Sequence, residues 1–217
     1  MLKAVIFDMD GVLIDSEKIH AQVETKMFES LGLDISEEEY AGFLGMSMVG
    51  LWSKVKDKYG LKEEVGELVK LNTQMFYDFI EGDSMDPIDG VESFIQELLN
   101  EDIKIAVATS SREEMMNSML KLIGLDKYFE NRTNADDIDN CKPDPEIYLK
   151  AAKKLGVSPG ECVAIEDATN GVLAACSAGM KVVGFTGSGD GRQNLDMADL
   201  VVGDYKELNL EKLKRLL

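Results

Sequence analysis

The 217-residue sequence predicts an α/β fold: a doubly wound parallel sheet with a small all-helical domain inserted after its first strand. Three observations carry this. Short, continuous, β-rich apolar runs recur along the chain. Amphipathic segments of helical period lie between them. One stretch near the N-terminus has helical period but no convincing strand.

The runs are Ala4–Phe7, Ile103–Thr109, Cys162–Ile165, Lys181–Phe185 and Leu200–Val202. Short continuous runs of this kind suit strands covered on both faces, as in a parallel sheet. Between Ser16 and Asp83 the rhythm changes. Ile19, Val23, Met27 and Leu31 recur at helical spacing, and polar turns are expected over Gly32–Glu39. A helical insertion follows, giving a core domain of residues 1–15 and 84–217 and a cap domain of residues 16–83. Beyond it, Val91, Phe94, Ile95, Leu98 and Leu99 fall at i, i+3, i+4, i+7 and i+8, one face of a helix. Met115, Met116, Met119, Leu120 and Ile123 repeat the pattern, with Gly124 as a C-terminal stop. Ile147, Tyr148, Ala151, Ala152 and Leu155 do so again before Gly156. Strands alternating with helices define the doubly wound class. The 12 methionines lie mostly on apolar helix faces and read as packing residues.

A net charge of −18 argues against a nucleic-acid partner and against an anionic membrane surface, since both rest on Lys and Arg. Cys141, Cys162 and Cys176 give an odd count without metal-ligand spacing, which suits reduced thiols rather than a disulfide framework. The apolar run before Asp8 is too short for a signal peptide, and no stretch approaches the roughly 20 apolar residues of a membrane helix. The expected location is the cytoplasm.

The chemistry-bearing residues stand at strand ends. Asp8 and Asp10 follow the first run, with Gly11 allowing the chain to turn. Carboxyl ends of parallel strands are where such sheets bind ligands. Two carboxylates there can divide the work of nucleophile and general acid, although a DxDG segment can also be a plain turn. Thr109, Ser110 and Ser111 stand at the carboxyl end of the second run and offer hydroxyls and free N–H groups to an anion, or a helix cap. Lys142 lies in Cys-Lys-Pro-Asp-Pro, where Pro143 and Pro145 stiffen the loop around its ammonium. Glu166 and Asp167 follow the third run and offer oxygens to a hard cation, unless Asp167 merely caps the next helix. Each segment alone has an ordinary structural explanation. Four in succession, each at a strand end or before a helix, do not.

Together these segments resemble the haloacid dehalogenase superfamily, in its subgroup with a helical cap and β-phosphoglucomutase-like phosphatases. The resemblance runs from Phe7-Asp8-Met9-Asp10-Gly11-Val12 to Ile165-Glu166-Asp167-Ala168-Thr169-Asn170-Gly171, with a Rossmann-like core. It implies that Asp8 is the nucleophile that becomes an aspartyl-phosphate and that Asp10 is the acid/base. Thr109, Ser110 and Lys142 would hold phosphate oxygens. Asp8, the backbone carbonyl of Asp10, and Asp167 would bind Mg2+, with Glu166 ligating or supporting it. Lys142 would also pair with Asp8 and keep it ionised. Asn170 is a further candidate for orienting the site. In the cap, Gly45 and Ser47 resemble the family's substrate-specificity loop, and His20 matches a position that mutases use. The mutases flank that loop with Lys and Arg, where this chain has Leu44 and Met48; Cys141 replaces the usual Gly before the Lys-Pro pair.

The expected activity is Mg2+-dependent hydrolysis of small phosphorylated metabolites, sugar phosphates foremost, by a monomer or weak oligomer. The alternatives are a phosphomutase on the same fold and a catalytically silent module that only binds a phosphometabolite. Asp10 disfavours dehalogenation, because a halide leaves without the proton that an alkoxide needs.

Overall fold

The computed structural model describes residues 1–43, 46–187 and 193–217. Leu44 and Gly45 of the expected specificity loop lie outside the described residues. The chain forms two compact units, one of Met1–Asp15 with Ser84–Leu217 and one of Ser16–Asp83. Strand β1 (Ala4–Phe7) opens the first unit.

The Ser16–Asp83 unit consists of helices α1 (Ser16–Ser30), α2 (Glu37–Ala41), α3 (Met48–Tyr59) and α4 (Val65–Gly82), with no strand among its described residues. Helix α2 forms where polar turns are expected. Ser36 Oγ accepts the Glu39 N–H at 3.3 Å, and three successive glutamates suit the positive end of the short helix. Met27, Phe28, Leu51, Trp52, Val55 and Leu68 make this unit's own core. Buried Trp52 Nε1 donates to Asn72 Oδ1 at 2.9 Å, tying α3 to α4.

The larger unit continues with α5 (Val91–Asn100), β2 (Lys104–Ala108), α6 (Glu113–Leu122), β3 (Arg132–Thr133), α7 (Glu146–Leu155), β4 (Cys162–Glu166), α8 (Thr169–Ser177), β5 (Lys181–Phe185), β6 (Leu200–Val202) and α9 (Leu210–Lys214). The six strands form one parallel sheet in the order β3-β2-β1-β4-β5-β6. β1 lies between β2 and β4 in matched register, with Phe7 opposite Val107 on one side and Ile165 on the other. The residues after these three strands therefore emerge side by side at one edge of the sheet. Alternation assigns the two faces. Ile6, Ala106 and Ala164 pack with Tyr148, Ala151, Ala152, Val172 and Ala175 of α7 and α8, where small side chains suit close packing of helix on sheet. Phe7 points the other way, its ring edge-on to Phe94 of α5 and to Phe129 at 5.8 Å. β3 has only two residues, too few to show a period, and is absent from the sequence expectation.

No helix among the described residues is long and apolar enough to cross a membrane.

Candidate active site

The backbone after β1 puts two acids into a tight turn. Asp8 N–H still bonds to Ile165 O at 3.0 Å, which holds the residue against β4. The amides of Val12, Leu13 and Ile14 then all reach Met9 O, and Gly11 N–H bonds to Ile14 O at 2.8 Å. Gly11 has φ +74°, a left-handed conformation that strains any side chain. A β-carbon there would also fall 2.0 Å from Asp167 Oδ2. Gly11 therefore lets the chain turn and lets Asp167 approach it.

Lys142 is the hub. Its Nζ donates to Asp8 Oδ1 at 2.5 Å, to Glu166 Oε1 at 2.6 Å and to Ala108 O at 3.2 Å, using all three ammonium protons. The same ammonium sits 5.2 Å from the centre of the Tyr148 ring, within cation–π range. Tyr148 Oη donates to Glu166 Oε1 at 2.5 Å, so one carboxylate oxygen holds two donors. The Lys142–Pro143 peptide is cis, and Cys141 before it is an exposed free thiol. Pro145 stands just before α7 as its N-cap.

Oxygen atoms of Asp8, Glu166 and Asp167 lie within 4.8 Å of one another. The Asp10 side chain is not in that trio, but its charge raises the pKa of both Asp8 and Asp167. Burial pushes Asp167 up to about 7, with Glu166 adding to the shift. Burial pulls the Lys142 ammonium down, but the Asp8 and Glu166 carboxylates outweigh it and hold the group above its ordinary value. For Asp8 the balance differs from expectation. Burial raises its pKa; Lys142 opposes this, Glu166 and Asp10 add to it, and the carboxyl ends well above the usual range. One ammonium shared between two carboxylates does not offset the loss of water. An all-oxygen set with an excess of negative charge fits a hard divalent cation, which would restore that balance.

The other expected residues take varied places. Thr109 is buried beside Asp8's strand, its Oγ1 accepting the Ser111 N–H at 3.1 Å, while Ser110 is exposed. Neither Ser110 nor Ser111 caps α6, whose N-cap is Arg112, and Asp167 does not cap α8, whose N-cap is Ala168. Asn170 is exposed in the first turn of α8. In the helical unit, His20 stacks on Phe76 with ring centres 4.6 Å apart, and Ser47 is the N-cap of α3, accepting the Gly50 N–H at 3.1 Å. Gly45 lies outside the described residues. Two participants escaped the sequence reading. Tyr148 looks like one more apolar position of α7, and Gly171 like an ordinary helix opener.

The chain matches the family model described as haloacid dehalogenase-like hydrolase over residues 5–185. It is 38% identical over 185 residues to the Bacillus subtilis protein named "Putative phosphatase YhcW", covering 84% of this chain and 83% of that one. It is 30% identical to the "Phosphorylated carbohydrates phosphatase" of Thermotoga maritima, over the full length of both. The crystal structure of a "putative beta-phosphoglucomutase" from Thermotoga maritima superposes with a TM-score of 0.83 at 31% identity, again over all of both chains.

Proposed function

Because the chain belongs to the haloacid dehalogenase-like hydrolase family, we propose that it is a Mg2+-dependent phosphatase of small phosphorylated metabolites, sugar phosphates foremost. The observation that carries this reading is Lys142 bonded to Asp8 at 2.5 Å beside the acid trio Asp8, Glu166 and Asp167. Phosphoryl transfer needs an in-line nucleophile and neutralised charge more than elaborate covalent chemistry; Asp8 would serve as the nucleophile, and Lys142 together with a bound cation would neutralise the charge.

In this reading an Asp8 carboxylate oxygen attacks phosphorus, and the bond from phosphorus to the ester oxygen breaks. Asp10 gives its proton to the departing alkoxide. Water then attacks the aspartyl-phosphate, Asp10 takes a proton from that water, and phosphate leaves with Asp8 restored. Lys142, with Thr109 and Ser110, holds phosphoryl oxygens. Asp8, Asp167 and the Asp10 carbonyl would hold Mg2+, with Glu166 in support, and the ion would supply charge neutralisation to the transferring group. The Ser16–Asp83 unit serves as the cap that selects the substrate, with His20 and Ser47 among its candidates. Three free thiols suit a reducing, cytoplasmic setting.

A mutase reading is favoured by the likeness to the Thermotoga structure. Against it, residues 16–83 contain no Arg, the side chain best shaped to grip a second phosphate. A screen of phosphorylated metabolites for Mg2+-dependent phosphate release tests the proposal, with Asp8→Asn as the control. Release that needs Mg2+ and vanishes in the folded Asp8→Asn protein supports it. A screen without turnover leaves the silent phosphometabolite-binding module as the correct alternative.

A further inference from the structure

We propose that Tyr148 is a positioning residue of this site: through Glu166 it fixes where the Lys142 ammonium sits relative to Asp8. The proposal rests on the phosphatase reading above and adds to it a residue outside the segments that the sequence reading singled out for chemistry.

At its position on α7, Tyr148 has the surroundings of a core side chain. It is fully buried, among alanines and aliphatic residues of α7, α8 and the sheet. Phenylalanine would satisfy that packing. A buried hydroxyl costs stability unless it is bonded, so packing alone selects against one here. The bond this hydroxyl makes is to a side chain of the site rather than to a backbone carbonyl. The hydroxyl donates to Glu166 Oε1 at 2.5 Å, on the residue that ends β4. The same oxygen accepts the Lys142 ammonium at 2.6 Å.

The geometry makes Glu166 a fixed relay. Tyr148 anchors its Oε1, and on another side the carboxyl group presses against the Cα of Gly171, where a β-carbon would meet three carboxyl atoms at 2.0–2.1 Å. A carboxylate held at two points cannot swing, so the Lys142 proton directed at it is fixed in direction as well. The ammonium has two other acceptors, Asp8 Oδ1 and Ala108 O, and its position is the compromise among the three. The face of the Tyr148 ring 5.2 Å from the ammonium steadies it further. Without the hydroxyl, Glu166 Oε1 has only Lys142 to bond and draws the ammonium away from the nucleophile. Charge growing on the phosphoryl oxygens during transfer depends on that placement more than substrate capture does.

The test is Y148F, which keeps the ring and removes one oxygen. We expect a folded protein whose kcat falls about tenfold with KM little changed. Inhibition by vanadate, which mimics the five-coordinate transition state, should weaken by the same factor, while inhibition by inorganic phosphate stays as it was. Unchanged kcat and vanadate inhibition would overturn the proposal. So would a rise in KM alone, which would make Tyr148 a substrate-binding residue. A Y148F chain that does not fold would overturn it as well, by making the hydroxyl a requirement of the fold. The wild-type enzyme, assayed alongside, separates this outcome from failure of the phosphatase reading itself, in which no phosphate ester is turned over at all.

Discussion

The carboxyl group of Glu166 lies against the Cα of Gly171, so close that a β-carbon at that glycine would sit 2.0 Å from Glu166 Cδ and Oε1. Gly171 is the third residue of α8, where alanine would ordinarily favour the helix by about 1 kcal/mol. The choice of glycine there serves the carboxylate, not the helix.

Gly171→Ala is therefore expected to spare the fold and damage the site. Glu166 can escape the new methyl only by rotating its carboxyl group, which pulls it from Lys142 and Tyr148. A displacement of about 1 Å at such a site can cost on the order of 10²-fold in rate. We expect near-normal thermal unfolding with kcat lower by 10- to 100-fold. Full activity in the variant would mean that Glu166 has slack that the packing does not suggest.

The raised pKa of Asp167, like that of Asp8, makes the site a pH-dependent contributor to stability in the metal-free protein. The folded state holds this proton up to about pH 7, whereas an unfolded chain releases it near 3.8. Between those values the folded state binds more protons, so stability falls as pH rises through the window. Unfolding temperatures after chelation should therefore be higher at pH 5.5 than at pH 8. Added Mg2+ should raise the pH 8 value far more, because it takes the place of the proton. Asp167→Asn should reduce the metal-free difference, with Asp8 left to carry the remainder. A metal-free protein that grows more stable from pH 5.5 to pH 8 would contradict the assignment of burial as the cause.

Much of this arrangement was legible in the sequence, for a physical reason. Strands buried on both faces must be largely apolar, so Ala4–Phe7 and Cys162–Ile165 announce themselves, and the acids after them stand out as interruptions. The family resemblance drawn from those interruptions agrees with the match over residues 5–185. The rest depends on neighbours distant in sequence. Tyr148 fits the apolar spacing of α7, and only the fold brings Glu166 to its hydroxyl, 18 residues away. The two-residue β3 has no period to read, and α2 owes its start to the Ser36 cap within a polar stretch. Asp8 shows the limit in energetic terms. A neighbouring lysine could be anticipated, but not that burial would outweigh it.

Asp10→Asn should slow hydrolysis by roughly 10²–10⁴-fold for alkyl phosphates, the usual worth of a positioned acid/base. The loss should depend on the leaving group. The phenolate of p-nitrophenyl phosphate departs without needing a proton, so Asp8 can be phosphorylated in the variant. The deficit then falls on the water step, and a burst of p-nitrophenol should precede slow turnover. Rapid-mixing kinetics check this. Equal deficits for both substrate classes, without a burst, would remove Asp10 from the role of general acid.

The last prediction separates hydrolysis from isomerisation. A mutase must keep its phosphoryl group from water and hold the second phosphate of a bisphosphate intermediate. Arg suits that grip because its planar fork meets phosphate oxygens in pairs. The first Arg of this chain is Arg112, outside the Ser16–Asp83 unit. Several lysines of that unit are already engaged. Lys56 bonds to Glu63 O and Glu64, Lys58 pairs with Glu39 at 2.7 Å, and Lys54 reaches Gly42 O. The positions flanking the specificity loop, Leu44 and Met48, carry no charge. Given β-glucose 1-phosphate and a bisphosphate activator, the enzyme is expected to release free phosphate faster than it forms glucose 6-phosphate. Coupled assays for the two products, run on one reaction, decide the matter. Isomer forming much faster than phosphate would make the mutase reading correct, and a cation that completes the grip would then have to be sought among the lysines of this unit.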